Sequence, residues 1–192
     1  MAELRVNKAK QKLANGEVAV AFASWGYGGA DALERLVDLE PDAIWLEAEH
    51  GGVDFSNIGE LTRAIDLIGA SPIVRIHQNE PGVIYRTLDL GAQGIVVPHV
   101  NTREEAEAVV HAGKFAPIGL RGSFTSRQGI GVSNYQSLAN GQTMLIILHR
   151  HVADLVPLHQ EGHHLQQFIL LHREELGGHV VLYLHVVAGP TP

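Results

Sequence analysis

Apolar and polar positions along this chain switch between two periods, and the switching predicts the elements. Short apolar runs bounded by turn residues, at 18–23, 43–49, 72–77 and 94–100, read as strands. Between them lie stretches with apolar residues at helical spacing: 30–39, 56–70 with Leu61, Ile65 and Ile68 on one face, and 81–90. A helix over 4–15 stops at Asn15-Gly16, and another opens on Thr102-x-x-Glu105 and ends at Gly113. Asn57-x-x-Glu60 offers a second capping box. Residues 115–142 lose this rhythm and are expected to form a long ordered loop before a fifth strand, Met144–Leu148. In the tail, 165–176 is expected as a helix stopped by Gly177-Gly178, and 180–187 as a strand.

Strands starting near residues 18, 43, 72 and 94, each followed by a helix and none by a hairpin turn, repeat a β-α unit. Such a repeat implies a parallel sheet. Charged residues cluster where the strands end, which favours a (β/α)8 barrel of TIM type, whose chemistry sits on that face. The alternative is a doubly wound open sheet. It is weakened because the loop Ser24-Trp25-Gly26-Tyr27-Gly28-Gly29 matches neither G-x-G-x-x-G nor the Walker pattern.

The second strand carries the most chemistry. Period two places Trp45, Glu47 and Glu49 on one face and Ile44, Leu46 and Ala48 on the other. A buried carboxylate without a partner is costly, so Glu47 and Glu49 call for a cation, a metal or a shifted pKa, unless Glu49 and His50 sit in a solvated turn.

Composition narrows the classes. At 192 residues the chain can bury one proper core, and a formal charge of -7 argues against a nucleic-acid partner while leaving a small anion possible through local arginines. Without cysteine there is no disulfide framework and no thiolate metal site. No apolar run approaches ~20 residues and residues 1–11 lack an apolar signal core, so a soluble cytoplasmic protein without a membrane partner is expected.

Glu47, Glu49 and His50, then Arg75, then Asp89 follow one another at the ends of the second, third and fourth units. A histidine beside a carboxylate is a tunable base, and an arginine can grip a carboxylate while neutralising developing negative charge. Together they suit proton transfer next to the carbonyl of a small keto acid. The plainer alternatives are a helix-end role for Asp89 and a structural ion pair for Arg75. His77 and His99 are expected to pack or bond locally.

Glu49-His50-Gly51, Pro72-Ile73-Val74-Arg75, Leu88-Asp89-Leu90-Gly91-Ala92-Gln93-Gly94 with Val97-Pro98, and Gly119-Leu120-Arg121-Gly122 resemble, in order, the signatures of the HpcH/HpaI class II pyruvate aldolases over residues 4–143. The resemblance implies a TIM barrel that cleaves 4-hydroxy-2-keto acids, often from aromatic catabolism, to pyruvate and an aldehyde. It implies His50 as catalytic base with Asp89 paired to it, and Arg75 binding the pyruvate carboxylate and carbonyl and stabilising the enolate. Glu47, where the family commonly has aspartate, and Glu49 join Arg75 among the substrate-site residues. A divalent metal (Mg, Mn or Co), a small 2-keto acid partner and a homo-oligomer, hexameric in the family, are also implied.

The family takes metal ligands from Gln-x-Glu on the fifth strand and from a later Gly-x-x-Asp-Leu. Here Leu148 and Arg150 stand in place of the first pair, and the second segment is missing, so no metal ligand is assigned. Residues 149–192 hold His149, His151, His159, His163, His164, His172, His179 and His185, eight of the 12 histidines, as a shifted reading frame after about residue 143 would produce. The chain thus divides into an incomplete barrel of about five units, 1–148, and an atypical tail, 149–192. The expected function is an aldehyde-lyase impaired by its missing metal carboxylates. The alternative is a non-catalytic remnant barrel binding a keto acid, or a metal through the tail histidines.

Overall fold

The computed structural model describes residues 2–148 in full and, beyond them, the backbone of Phe168–Leu176 and His179–Val186. Expectations for His149, Arg150, His151, His159, His163 and His164 lie outside the described residues.

Among the described residues seven strands form one sheet in chain order: β1 (Ala21–Ser24), β2 (Ala43–Glu47), β3 (Ser71–Arg75), β4 (Gly94–Val97), β5 (Met144–Leu148), β6 (Phe168–Leu176) and β7 (His179–Val186). Neighbours from β1 to β6 pair in parallel, and β7 runs antiparallel to β6. Each early step returns through a helix: α2 (Gly29–Glu34), α3 (Ile58–Leu67), α4 (Pro81–Asp89) and α5 (Arg103–Gly113). Before β1 lies α1 (Lys8–Ala14), and before β5 lies α6 (Tyr135–Gln142). Parallel strands joined by helices on one side, in strict sequence order, form an incomplete (β/α)8 barrel.

The two strand faces bury different partners. Ile44, Leu46, Val74, Ile95, Val97, Leu145 and Ile147 pack with the helix residues Leu61, Ile65, Ile84, Leu88 and Val109 in the main core. Ala43, Ile73, Val96, Met144 and Ile146 form a second cluster on the opposite, concave face, with Trp45 and Leu148 against it. Ala9 of α1 belongs to that cluster, so α1 covers the strand starts. It is fixed there by polar bonds: Asn7 Nδ2 donates to the carbonyls of Gln93 (3.1 Å) and Gln142 (3.0 Å), and Lys12 Nζ donates to Asp42 (2.9 Å). With one mouth closed by α1, the other is left for chemistry.

Three expectations change. The loop 115–142 contains α6 and a 3-10 turn, Arg127–Gly129, because Asn140 pairs its side-chain amide with the backbone of Phe115 and folds the segment on itself. Asn57 does not complete a capping box: its side chain accepts from Asp54 N (2.9 Å) and donates to Gly52 O (2.8 Å) instead. The helix expected over 165–176 is the strand β6, where Phe168–Leu171 find a ladder against Leu145–Leu148 and Gly177-Gly178 falls between β6 and β7. The capping box at Thr102 and the strand at 180–187 are found as expected, the latter as His179–Val186.

Candidate active site

The open mouth is built first by Glu47, the last residue of β2. Trp45 and Glu47 share the concave face, and Trp45 Nε1 donates to Glu47 Oε2 (3.3 Å). The buried carboxylate then turns the chain: Glu47 Oε1 accepts from the backbone N–H of Glu49 (2.9 Å) and of His50 (3.2 Å). Gly51 is required next, since a Cβ there would strike the carbonyl oxygens of Glu47 and Trp25. Gly52 N donates to Trp25 O (2.8 Å), tying this loop to the one after β1.

Arg75 ends β3, directly beside Glu47 in the parallel register. Its Nη1 lies 3.3 Å from Glu47 Oε2 and its Nη2 pairs with Glu49 Oε2, while Nε is buried without an acceptor. Glu49, whose side chain is only 9% exposed, also meets two histidines: His50 Nε2 at 3.4 Å from Oε2 and His99 Nε2 at 3.3 Å from Oε1. His99 follows β4 with its backbone at φ 58. Glu47, Glu49, His50 and Arg75 are therefore brought together. The carboxylates of Glu47 and Glu49 thus face one guanidinium, with the two imidazoles on the solvent side.

Asp89 is not with them. Within this chain Asp89 Oδ1 accepts from Arg121 Nη2 at 2.6 Å, away from His50. The reason is topological. Helix α4 runs back from the mouth, and four residues after Asp89 the N–H of Gln93 bonds to Pro72 O near the start of β3, whereas Arg75 ends that strand. Arg121 of Gly119-Leu120-Arg121-Gly122 lies over the Phe115 ring (4.5 Å) and anchors α4 to the segment after α5. His77 is exposed on the loop after β3. His99 is the residue that sequence reasoning set aside. Its signal was its place at the end of β4, equivalent to Glu49-His50 after β2.

A divalent metal asks for oxygen donors with free lone pairs. Here Glu47 accepts from four donors, and Glu49 faces Arg75 and two histidines as ion-pair partners, though no hydrogen bond reaches its Oε2. Among the described residues no group of three His, Asp or Glu side chains could hold a metal ion, so these residues do not fit the cation that the resemblance implies.

The sequence profile of the HpcH/HpaI aldolase/citrate lyase family matches residues 28–148. The chain belongs to the HpcH/HpaI aldolase/citrate lyase family. Among curated HpcH/HpaI relatives, a hydroxypyruvate/pyruvate aldolase of Rhizorhabdus wittichii is 40% identical over 109 residues, covering 56% of this chain and 43% of that protein. A pyruvate aldolase of Rhizobium etli is 34% identical over 149 residues, covering 76% of this chain and 58% of that protein. The crystal structure of an HpcH/HpaI aldolase/citrate lyase family protein from Burkholderia cenocepacia superposes with a TM-score of 0.67 at 28% identity, over 74% of this chain and 59% of that one. The chain thus spans about half the length of the curated relatives it matches.

Proposed function

We propose that this chain carries the proton-transfer half of a pyruvate-aldolase-type carbon–carbon lyase and is impaired in it. The observation that carries the reading is the meeting of His50, Glu49 and Arg75 at the strand ends of a chain in this family. With Nε2 turned to Glu49, His50 keeps Nδ1 to take the 4-hydroxyl proton of a 4-hydroxy-2-keto acid. The C3–C4 bond then breaks, the aldehyde leaves, and the pair of electrons remains as the pyruvate enolate. Arg75, ion-paired with both glutamates at the strand ends, would be the cation that stabilises that charge. Proton return from His50 to C3 gives pyruvate. The divalent metal that the family would add has no fitting donors in the described residues, and no step is assigned to it. The protein would be a cytoplasmic homo-oligomer, divided at about residue 148.

Exchange of the pyruvate methyl protons in deuterated buffer, with magnesium or manganese added, tests this reading. We expect slow exchange above the buffer rate, reduced to that rate in His50→Ala, since a positioned base contributes about 10²-fold or more. Rapid exchange that depends on His50 would overturn the impairment. The lack of a metal-binding group in the described residues favours a second reading, a non-catalytic keto-acid binder. Exchange at the buffer rate, with calorimetric pyruvate binding lost in Arg75→Ala, would establish that one instead.

A further inference from the structure

Trp45 stands directly beneath the site. It lies two residues before Glu47 on the same concave face of β2, and its neighbours in the parallel register are Ala23 on β1 and Ile73 on β3. The half-buried indole packs against Ala43, Ile73, Val96, Met144 and Ile146. Among the described members of that cluster no other side chain carries a nitrogen or oxygen atom. A single N–H therefore rides on a ring that apolar contacts hold in place.

That N–H donates to Glu47 Oε2 at 3.3 Å. Glu47 is the hub of the mouth. Its Oε2 also accepts from Arg75 Nη1 (3.3 Å), and its Oε1 accepts from the backbone N–H of Glu49 (2.9 Å) and of His50 (3.2 Å). A glutamate side chain has several torsions and is costly to hold in one rotamer. Of its four donors, three belong to the parts being positioned: the backbone of Glu49 and His50, and a guanidinium that Glu49 also attracts. The indole is the donor anchored outside them, in the apolar cluster.

We propose that Trp45 is a positioning residue of this site: its indole N–H fixes the carboxylate of Glu47, which in turn holds Arg75 and the backbone of Glu49 and His50. Without it the carboxylate would follow Arg75 toward Glu49, and the His50 loop would lose the fixed end of its tether. A phenylalanine ring would serve packing alone, so the N–H is the feature that the role requires. What the placement contributes to proton transfer rests on the lyase reading; the placement itself does not.

The test uses the full chain, isotope-labelled, and follows amide hydrogen exchange by NMR. Trp45→Phe keeps a ring against the cluster and removes the N–H. We expect the amides of Glu49 and His50 to exchange about fivefold faster, the worth of one net hydrogen bond. The amide of Ala48 lies between Glu47 and Glu49 but donates to Arg75 O (2.9 Å), and it should keep its rate. A packing role would loosen β2 and speed Ala48 as well. Equal acceleration of Ala48, or unchanged exchange at Glu49 and His50, would overturn the proposal. The reciprocal variant, Glu47→Gln, should move the indole proton resonance of Trp45 upfield, because a neutral amide is a weaker acceptor than a carboxylate. The resonance of Trp25, the other tryptophan, should stay in place. This measurement stands even if Trp45→Phe fails to fold, and an unmoved Trp45 resonance would also overturn the proposal. Failure of pyruvate exchange in the unaltered chain would sink the lyase reading and leave these rates and resonances to decide the placement.

Discussion

Lys114 is wholly buried at the end of α5, an unusual place for an ammonium group. Burial, helped by the charges of Lys10 and Arg121, pushes its pKa down to about 6, and burial alone brings Lys10 to about 8. A neutral amine has two N–H groups, and Lys114 Nζ donates to two carbonyls, Asn140 O (2.6 Å) and Thr143 O (2.7 Å), at the end of α6. The unfolded chain keeps this proton up to pH 10.5, whereas the folded chain has released it above about 6. Stability should therefore rise with pH from about 6 upward, and below 6, where both states are protonated, the group adds no pH dependence. Urea midpoints from pH 6 to 9 check this: the rise should flatten in Lys114→Met, which also strands two carbonyls at roughly 1–3 kcal/mol each. At this scale the sequence was partly legible. A carboxylate inside an apolar run announced that Glu47 and Glu49 needed partners, and Arg75 supplied one. Nothing in Gly113-Lys114-Phe115 distinguishes a buried lysine from a solvated one, because its acceptors are backbone groups some 26 and 29 positions away.

Elements with purely local causes were the easiest to read. Helix α5 starts where Thr102 and Glu105 exchange bonds, Glu105 N donating to Thr102 Oγ1 (3.2 Å) and Thr102 N donating to Glu105 Oε2 (3.2 Å). Thr102→Ala should lower the unfolding free energy by about 1 kcal/mol, measured by urea titration, and a change within error would remove the cap as a determinant of this helix. The same cap steadies the turn at His99 through Asn101, so the element and the site share a support. Elements set by distant partners were harder. Phe168–Leu176 has helical spacing, yet it lies on a ladder with β5, and a Gly-Gly pair signals a hairpin as well as a helix stop. Within this chain the direction of α4 carries Asp89 to the other end of the sheet from His50, where it meets Arg121.

Across the molecule, the early barrel steps are roofed by helices, yet several large apolar side chains face water. Tyr27 and Trp25 after β1 are exposed, and so are Leu120, Phe124 and Ile130 on the segment between α5 and α6. Scattered apolar residues are ordinary on protein surfaces, but five on two loops, with a sheet that does not close on itself among the described residues, favour association. Light scattering at roughly 10 μM should give a mass above the 20.8 kDa of one chain. A strict monomer at that concentration would show that these loops are not an interface. The order of strands was legible from the β-α rhythm alone, since each unit repeats the same local grammar. Where the repeat is lost, after β5, the helix expected over 165–176 proved to be a strand, while the strand expected over 180–187 was found.

The reversal at β7 also decides what the sheet can never become. A ring of parallel strands closes when its last member meets its first with both chains pointing the same way. Strand β7 points against β1, so any seam between them would have to be antiparallel, a polarity foreign to the other five joints of this barrel. Lengthening the chain after β7 with further β-α units would continue from the wrong heading. Completing the circle would first require unmaking the hairpin.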